Sequence, residues 1–327
     1  MTGGGVGRHF SRDVLAIDAA AECERIRENL RATVVGEFRR RGAVVGVSGG
    51  VDSAVSLALA VRAFGPERVV PLILQEKESS PENPRLVRLL CRSLGVTPVA
   101  EDITGALEGL GCYRRRDDAI REIFPEYDST YRSRLTLPAA LLDGDGLAMF
   151  SLTIVSPEGE EKSERLPLDQ YLRIVAATNF KQRTRMAMLY HHAECRNFAV
   201  VGTANKNERE QGFFVKYGDG GADVDAIAHL YKTQVYQLAA YLDVPEEIIG
   251  RPPTTDTYSA PTTEEQFFFR LPFEVMDLLC RAEETDAPPE VVATVMGLSP
   301  AQVERAFREF RKRRRNTGYL RSPVRAL

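Results

Sequence analysis

Residues 44–54 are Val-Val-Gly-Val-Ser-Gly-Gly-Val-Asp-Ser-Ala, and this stretch decides the fold of the chain. Its β-branched start (Val44, Val45, Val47) predicts a buried strand, and the apolar residues 54–61 that follow predict a buried helix. A strand that turns tightly through glycines into a helix leaves backbone N–H groups unpaired at the helix start. Together with the positive end of the helix dipole, these donors predict an anion site of phosphate size.

The side chains of this turn suit a nucleotide. Gly49 and Gly50 let the backbone approach an anion closely, Ser48 and Ser53 add hydroxyl donors, and Asp52 can hold a metal ion that bridges phosphates. The spacing matches neither Gly-x-x-x-x-Gly-Lys-Ser/Thr nor Gly-x-Gly-x-x-Gly. Ser-Gly-Gly-x-Asp-Ser instead resembles the pyrophosphate loop of the N-type ATP pyrophosphatases. The alternative, a plain Gly-Ser turn, does not account for this order of residues.

Composition indicates a globular cytoplasmic protein. The chain has 327 residues, 43% of them hydrophobic, and a net charge of -3, which gives no global attraction to nucleic acid or an anionic membrane. No apolar run approaches the roughly 18–20 residues that span a bilayer. The cysteines form no Cys-x-x-Cys pair, which favours reduced thiols over a zinc site or disulfides. We interpret them as buried hydrophobes rather than nucleophiles: Cys23, Cys91, Cys112, Cys195 and Cys280.

Short apolar strands alternate with helices along most of the chain. Further strands are predicted at 68–74, 96–99 and 197–202, and helices at 14–41, 86–94 and 183–195. This alternation predicts an α/β fold with a doubly wound, mostly parallel sheet that is covered by helices on both faces. Ligands in such folds bind beyond the C-terminal ends of the strands, where the turn after Val47 lies.

The chain divides into one main domain and two additions. Residues 1–12 are Gly-rich and predict a flexible tail. Residues 111–170 are charged and irregular, and their alternating segments 147–155 and 162–168 predict a β-hairpin. We interpret 111–170 as an insertion that serves as a lid or a dimer contact. Residues 13–110 and 171–327 form the main domain, with a helical C-terminal part from about residue 270.

A second motif occupies residues 202–223. It holds carboxylates (Glu208, Asp219, Asp223) and aromatic rings (Phe213, Phe214) among glycines, without apolar periodicity. A surface loop would explain each residue singly. The mixture is typical of a site where rings stack on a flat ligand while carboxylates hold a metal ion.

At this motif the chain resembles the ammonia-dependent NAD synthetases. Their Gly-Thr…Glu…Gly-Phe/Tyr-Phe-x-Lys-Tyr-Gly-Asp-Gly-Gly-x-Asp is matched nearly throughout by residues 202–223, and residues 179–186, 230–235 and 253–256 resemble three further family segments. The resemblance implies a C–N ligase that needs ATP and Mg²⁺. It would adenylate nicotinic acid adenine dinucleotide and aminate it with ammonia, giving NAD, AMP and pyrophosphate. It also implies a homodimer, because the family builds its acyl-substrate site across a subunit interface.

The resemblance also implies the site residues. Asp52 and Glu208 would ligate Mg²⁺, and Asp52, Asp219, Asp223 and Lys232 would be catalytic. Asp219 and Asp223 would face the acyl substrate and ammonia, unless one merely caps its loop. Arg185 and Lys232 would contact ATP, unless they belong to solvated helix faces. The residues implied to bind ATP are Ser48, Gly49, Gly50, Ser53, Arg185, Thr203, Lys232 and Thr254.

Three segments depart from the family pattern, all on the acyl-substrate side. Residues 74–80 lack the expected arginine and acidic helix start, the stretch 111–170 is longer than expected, and residues 319–323 replace a C-terminal His-Lys pair. An amide ligase that acts on a different carboxylic acid therefore stays open as an alternative. With only about 40 residues before the first strand, no glutaminase region is expected, so free ammonia or a separate supplying protein is implied.

The C-terminal residues 291–315 are compatible with a function of another class. Gly297-Leu298-Ser299 between two helices and the basic run 311–315 are compatible with a helix-turn-helix and a nucleotide-regulated DNA-binding protein. A solvated helix end, or a clamp on substrate phosphates from a partner subunit, explains the basic run more simply. A tRNA-modifying enzyme would need paired catalytic cysteines, which the sequence lacks.

Overall fold

The computed structural model describes residues 10–137, 141–142, 149–254 and 257–326. Its centre is a five-stranded sheet with the order β3-β2-β1-β7-β8, in which every neighbouring pair is parallel. Val44 of the first strand pairs with Val70 on one side and Val200 on the other. The strands are β1 (Ala43–Gly46), β2 (Val69–Gln75), β3 (Val99–Asp102), β4 (Arg132–Thr136), β5 (Ser151–Val155), β6 (Glu161–Arg165), β7 (Ala199–Gly202) and β8 (Val224–Asp225).

Helices cover both faces of this sheet, which confirms the predicted α/β fold. Val45 packs into a core with α1, α2 and α8, while its neighbour Val44 packs into a second core with α5 and α6. The helices are α1 (Ala19–Arg31), α2 (Val51–Phe64), α3 (Glu82–Ser93), α4 (Thr104–Gly109), α5 (Cys112–Arg121), α6 (Leu168–Glu194), α7 (Lys206–Gln211), α8 (Lys232–Tyr241), α9 (Glu246–Ile249), α10 (Phe273–Glu284), α11 (Pro289–Met296), α12 (Pro300–Asn316) and α13 (Gly318–Arg321).

Several predicted boundaries are wrong; α3, for example, begins at Glu82 rather than residue 86. The first helix begins at Ala19 rather than residue 14, because Asp18 caps it by accepting a hydrogen bond from the Ala21 N–H. The third strand is Val99–Asp102 rather than 96–99, because Gly95 still completes the end of α3 with a φ of 68°. The helix before β7 begins at Leu168 rather than residue 183, so it is 27 residues long.

The stretch 111–170 contains a helix and a second sheet. Helix α5 packs along α6 and places Cys112 and Tyr113 in the core behind the central sheet. β4, β5 and β6 form an antiparallel sheet, in which β5 and β6 are the predicted hairpin as far as residues 149–168 show it. Residues 147–148 of that hairpin lie outside the described residues. The sheet packs through Leu135, Leu152 and Ile154 on the start of α6.

The C-terminal helices form a core of their own. Gly297 ends α11 with a φ of 71°, and Ser299 caps α12 with Pro300 at its first position. Residues 1–9 of the predicted tail lie outside the described residues, whereas Phe10 is buried in this C-terminal core. No helix in the described part of the chain is long and apolar enough to cross a membrane.

Candidate active site

One cavity of about 660 Å³ opens at the C-terminal ends of β1, β2 and β7. All site residues predicted from the sequence line it, except Gly49 and Asp223. The parallel sheet explains this convergence, because the loops that follow neighbouring parallel strands meet at the same edge. Of the family-like segment 253–256, Thr254 lines the cavity, and residues 255 and 256 lie outside the described residues.

The turn between β1 and α2 is shaped to surround an anion. Gly49 has a φ of 84°, and Gly50 begins α2 without a side-chain cap, so the first N–H groups of the helix stay open. The hydroxyls of Ser48 and Ser53 lie 3.3 Å apart, and the Ser53 hydroxyl donates to the Gly50 carbonyl at 2.9 Å. Gly49 therefore shapes the loop from outside the cavity, while its neighbours present donors to the inside.

A buried ion pair lies beside this turn. The ammonium of Lys232, the first residue of α8, donates to Asp52 Oδ2 at 2.5 Å, and Asn205 Nδ2 donates to Asp52 Oδ1 at 3.2 Å. Lys232 is only 1% exposed. Burial alone would lower the pKa of Lys232, but the carboxylates of Asp52, Glu264 and Glu208 outweigh burial and raise it. Lys232 is therefore a permanent cation at the floor of the cavity, not a solvated helix residue.

Two further carboxylates complete the cluster. Burial, followed by the charges of Asp52 and Glu264, raises the pKa of Glu208, whose Oε2 accepts the Asn205 N–H at 3.0 Å. Glu264, which the sequence analysis missed, is 9% exposed, and its Oε2 lies 3.6 Å from Lys232 Nζ. That oxygen has no hydrogen-bond partner within the described residues. Burial, the largest cause, raises the pKa of Glu264 as well.

The charges in this cluster fit a divalent cation. Three carboxylates face one ammonium, and one buried carboxylate oxygen has no donor. No group of three or more His, Cys, Asp or Glu side chains in the described ranges has the arrangement of a metal site. Carboxylate oxygens are the donors that a hard divalent cation prefers, so the residues present fit such an ion, and Asp52 and Glu208 stay the predicted ligands.

Glu264 reaches the cluster through a tertiary contact. Thr254 and Thr263 form an isolated antiparallel bridge, and the Glu264 N–H donates to the Pro253 carbonyl at 3.2 Å. These two contacts place Thr254 and Glu264 at the same end of the cavity. The acidic pair Glu264-Glu265 was visible in the sequence, but nothing local indicated that it would fold back onto Lys232.

An aliphatic slot lies on one side of the phosphate-sized turn. It is lined by Leu72 and Leu74 from β2, by Met186 and Leu189 from α6, and by Gly46, where a Cβ would meet Leu189 at 3.3 Å. Arg185 lines the same side, and its guanidinium donates to the Leu74 carbonyl and the Ser79 hydroxyl at 3.4 Å each. A narrow apolar slot beside a cation suits a flat base that carries phosphates.

The two aspartates of the second motif occupy different surroundings. Asp219 lines the cavity, and its Oδ1 accepts the Val215 N–H at 2.8 Å. Burial raises the pKa of Asp219 to about 6, against the opposing effects of that N–H and the charge of Arg185. Asp223 is exposed outside the cavity, where it accepts the Tyr190 hydroxyl at 2.9 Å and the Val200 N–H at 2.8 Å. The structure thus brings Asp219 to the site and does not bring Asp223.

Aromatic side chains form the opposite side of the cavity. Of these rings, only Phe213 was named from the sequence; Phe214, which was also named, lines the cavity but does not belong to this surface. Phe213 stacks on Phe268 with ring centroids 4.9 Å apart, and Phe150 stacks on Tyr171 at 4.6 Å. We call this surface the aromatic wall; it consists of Phe150, Tyr171, Phe213, Tyr258, Phe267 and Phe268, all of which line the cavity. The run Phe267-Phe268-Phe269 was a possible sequence signal.

The segment after β2, which departs from the family pattern, is held by a buried ion cluster. Lys181 of α6 donates to Glu78 at 2.7 Å and to the Thr257 carbonyl at 3.0 Å, and Arg116 of α5 grips Glu78 with two hydrogen bonds. Burial raises the pKa of Glu78, but these two cations outweigh it and lower that pKa to about 2. The cluster ties α5, α6 and the segment after Thr254 together behind the cavity.

The C-terminal segment lies at the cavity mouth. Tyr319 and Leu320 line the cavity, and Lys216 donates to the carbonyls of Tyr319 and Ser322 at 3.0 and 2.8 Å. In the basic run, Arg313 is buried and donates to Gln211 at 3.2 Å, and Arg314 pairs with Glu283. These two arginines are thus held within the subunit, which does not favour a free basic arm.

Comparison with known proteins gives a consistent set of similarities. A profile of the family described as NAD synthase matches residues 22–123 and 157–317. The chain is 50% identical over 311 residues to the NH(3)-dependent NAD(+) synthetase of Rhizobium meliloti (strain 1021), which covers 95% of this chain and 92% of that protein. It is 38% identical over 262 residues to the protein of the same name from Thermotoga maritima, across 79% and 88% of the two chains.

Solved structures show the same fold at low sequence identity. The NH3-dependent NAD synthetase of Campylobacter jejuni superposes with a TM-score of 0.61 and 22% identity, covering 95% of this chain and 100% of that chain. The NMN synthetase of Francisella tularensis superposes with a TM-score of 0.59 and 21% identity, covering 95% and 99%. At these identities the superpositions support the fold only.

Proposed function

The chain belongs to the NAD synthase family, and from that premise we propose that it converts nicotinic acid adenine dinucleotide to NAD with ATP and ammonia. The protein is then an ATP-dependent ligase that forms a C–N bond. The observation that carries the proposal is the single cavity in which an open phosphate-sized turn, a buried ammonium and an apolar slot adjoin a second, aromatic surface. The phosphate-sized turn and the slot suit the nucleotide, and the aromatic surface suits the acid.

The first step activates the acid. A carboxylate is a poor electrophile until one of its oxygens becomes part of a good leaving group. A carboxylate oxygen attacks the α-phosphorus of ATP, the bond from that phosphorus to the bridging oxygen breaks, and pyrophosphate leaves. In the proposal, Ser48, Gly50 and Ser53 receive the pyrophosphate on hydroxyl and backbone donors, and the Lys232 ammonium stabilises its charge.

The second step forms the amide. The nitrogen of ammonia adds to the acyl carbon, gives up a proton, and the C–O bond to AMP breaks. We assign Asp219 to hold the incoming nitrogen and accept that proton, because its carboxylate lines the cavity and a pKa of about 6 leaves it ionised at neutral pH. Asp223 was predicted to share this role and stays a prediction, with a structural role in holding β7 as the alternative.

The remaining proposed contacts to ATP lie on either side of the turn between β1 and α2. In the proposal, the adenine ring enters the aliphatic slot of Leu72, Leu74 and Leu189, with Arg185 and Thr203 beside it. Thr254, held by its bridge to Thr263, contacts the phosphates from the same cavity as Lys232. Arg185 needs no large movement, because its hydrogen bonds to Leu74 and Ser79 hold the guanidinium at the edge of the slot.

Asp52 and Glu208 are the proposed holders of Mg²⁺. When bound, the ion supplies positive charge that neutralises the phosphates and favours departure of pyrophosphate. The Lys232 ammonium occupies Asp52 Oδ2 in this structure, so Asp52 has to share its oxygens between the two cations. Glu264 keeps a second carboxylate within 3.6 Å of Lys232 and can retain the ammonium when Asp52 turns to the ion.

A substrate screen tests the proposed function. Purified protein is incubated with ATP, Mg²⁺ and ammonium, and AMP release is followed across candidate carboxylates. Turnover of nicotinic acid adenine dinucleotide to NAD supports the proposal. Turnover of another acid, with none of the dinucleotide, replaces it with the alternative of an amide ligase on a different substrate.

The proposal also covers the oligomeric state, the cell compartment and the source of ammonia. The enzyme acts as a homodimer, in a cytoplasm, with free ammonia or ammonia from a separate protein. The exposed apolar side chains Leu168 (69%) and Leu172 (55%) lie on α6, the helix that also lines the cavity, and they support a subunit contact there. Sedimentation velocity of the wild type and of Leu172→Asp tests it: a monomeric wild type contradicts the dimer.

A further inference from the structure

The inserted sheet has no part in the function proposed so far. The family profile passes over residues 124–156, which contain β4 and β5. Yet one residue of this stretch, Phe150, lines the cavity. Its carbonyl accepts the Leu166 N–H at 2.9 Å, so pairing of the sheet strands fixes the backbone from which the ring projects. This chain therefore adds a wall residue that the family profile does not contain.

Phe150 lies at the far end of the aromatic wall. The near end is Phe213, whose N–H donates to the carbonyl of Glu208 at 2.8 Å, beside the carboxylate cluster. Phe267 contacts both ends of the wall, with ring centroids 5.8 Å from Phe213 and 5.9 Å from Phe150. Beyond Phe267, Phe150 stacks on Tyr171 with the two ring planes only 19° apart. In this series of ring contacts, the Phe150–Tyr171 pair is thus the end opposite Phe213.

The proposed reaction requires one orientation of the acid relative to the aromatic wall. The carboxylate of the acid has to lie at the phosphate end, next to ATP, so the wall receives the parts of the acid that do not react. Each of Phe150, Tyr171 and Phe267 is partly open to the cavity rather than sealed in the core. Aromatic faces in such a place stack on flat rings, and every base has a face that can stack.

Resting on the proposed function, we propose that Phe150 and Tyr171 form a distal subsite for a second flat ring of the acid, which selects a dinucleotide over a mononucleotide. In nicotinic acid adenine dinucleotide that ring is the adenine, which is remote from the pyridine carboxylate. Nicotinic acid mononucleotide has no such ring and gains nothing from the subsite. The inserted sheet is then a specificity element rather than only a lid or a dimer contact.

A merely structural role for Phe150 is the competing explanation, because its stack on Tyr171 also fastens the inserted sheet to α6. Tyr131 provides the matched control. It packs against the same core as Phe150, with its ring 6.0 Å from that of Tyr127, but it does not line the cavity. Loss of packing alone would affect Phe150→Ala and Tyr131→Ala alike, and would affect all substrates equally.

The first test measures kcat/KM for the dinucleotide and for nicotinic acid mononucleotide, with ATP and ammonium saturating. Phe150→Ala should lower kcat/KM for the dinucleotide about tenfold or more, the scale of one lost base–aromatic stack, through KM. The mononucleotide should change by less than about twofold, and Tyr131→Ala should change neither substrate. Equal losses for both substrates, or no loss for the dinucleotide, would overturn the proposal.

The second test uses fluorescence and does not need turnover. The chain contains no tryptophan, so Phe150→Trp and Tyr131→Trp each introduce a sole reporter. With a non-hydrolysable ATP analogue saturating the nucleotide slot, ADP-ribose, which carries the adenine end without the carboxylate, should quench the Phe150→Trp emission and leave Tyr131→Trp unchanged. Absence of quenching in Phe150→Trp, with melting temperatures like that of the wild type, overturns the distal subsite.

The two tests separate this inference from the proposed function. If the wild type amidates no nicotinate nucleotide, the proposed function fails, and the fluorescence titration still shows whether the aromatic end binds an adenine ring. If the wild type makes NAD but Phe150→Ala retains its full preference for the dinucleotide, the proposed function stands and the distal subsite fails.

Discussion

The cavity has two ends that are built in different ways. At the phosphate end, residues 48–53 come from one turn between β1 and α2, and Lys232 is the first residue of another helix. At the aromatic end, the wall combines one ring each from the inserted sheet, α6 and the loop after α7 with three rings from the segment before α10. The comparison shows that the residues proposed to bind phosphates lie in short sequence motifs. The surface proposed to bind the rest of the substrate forms only when segments far apart in the sequence pack together.

The sharpest way to break this comparison is at Asp52. Asp52→Asn should lower AMP formation about a thousandfold, because a neutral amide is a much weaker ligand for the Mg²⁺ that would neutralise the phosphates. The fold should survive, since Asn retains the volume and a hydrogen bond from Asn205. Far-UV circular dichroism and turnover check this, with Asp102→Asn, at the end of β3 and outside the cavity, as the control. Near-normal turnover of Asp52→Asn would remove its proposed role.

The second motif separates its two aspartates, and a pair of variants tests the separation. Asp219→Asn should lower kcat about a hundredfold, the scale of a lost general base. Asp223→Asn should lower kcat by less than about fivefold, and its main effect should be a lower melting temperature, because the Val200 N–H and the Tyr190 hydroxyl lose a charged acceptor. Steady-state kinetics and thermal melts measure both. A larger kinetic loss in Asp223→Asn would place the chemistry at Asp223 instead.

The pH dependence of kcat/KM should reveal the ionisation of Asp219. Because its pKa is raised from 3.8 to about 6, kcat/KM should fall as the pH drops through about 6, and the residual activity of Asp219→Asn should lack that step. The same raised pKa affects the free energy of unfolding in the opposite direction: activity increases with pH, whereas the contribution of Asp219 to stability decreases. Between about pH 4 and 6 the folded state binds more protons at this carboxyl than the unfolded chain does, so its contribution to stability decreases as the pH rises.

Denaturant unfolding of the wild type and Asp219→Asn at several pH values measures this second effect. The variant should gain about 1–3 kcal/mol relative to the wild type between pH 4 and 7, the free energy of a two-unit pKa shift reduced for partial exposure. A constant difference across this range would mean that Asp219 titrates normally.

The smallest expected effect concerns the shape of the phosphate turn. Gly49→Ala places a Cβ 3.4 Å from its nearest neighbours, so space is available, but the φ of 84° is strained for alanine by about 1–2 kcal/mol. The turn should relax and raise the KM for ATP several-fold. Gly95→Ala, with a φ of 68° at the end of α3 and nothing within 4 Å, is the control. It should lose similar stability with an unchanged KM, and a shared rise in KM would mean a general effect.

The phosphate end could be predicted almost completely, and the aromatic end could not. The order Ser48-Gly49-Gly50-Val51-Asp52-Ser53 after a β-branched strand specifies its own backbone, because each of these residues acts on its neighbours in sequence. Glu264 was missed because its place depends on the bridge between Thr254 and Thr263. Asp223 was expected in the site from the family motif, but just before β8 its carboxylate accepts the Val200 N–H of β7, a contact between distant segments that the motif does not show.

The sequence by itself determined the α/β class, the phosphate-sized turn and most of the polar residues around it, since local backbone geometry and periodic burial are encoded within a few residues. Only the tertiary structure decided that three carboxylates share one buried ammonium, and that an inserted sheet reaches the substrate cavity through Phe150. Those contacts join segments far apart in the chain, and their geometry follows from how the helices and sheets pack rather than from any one stretch of residues.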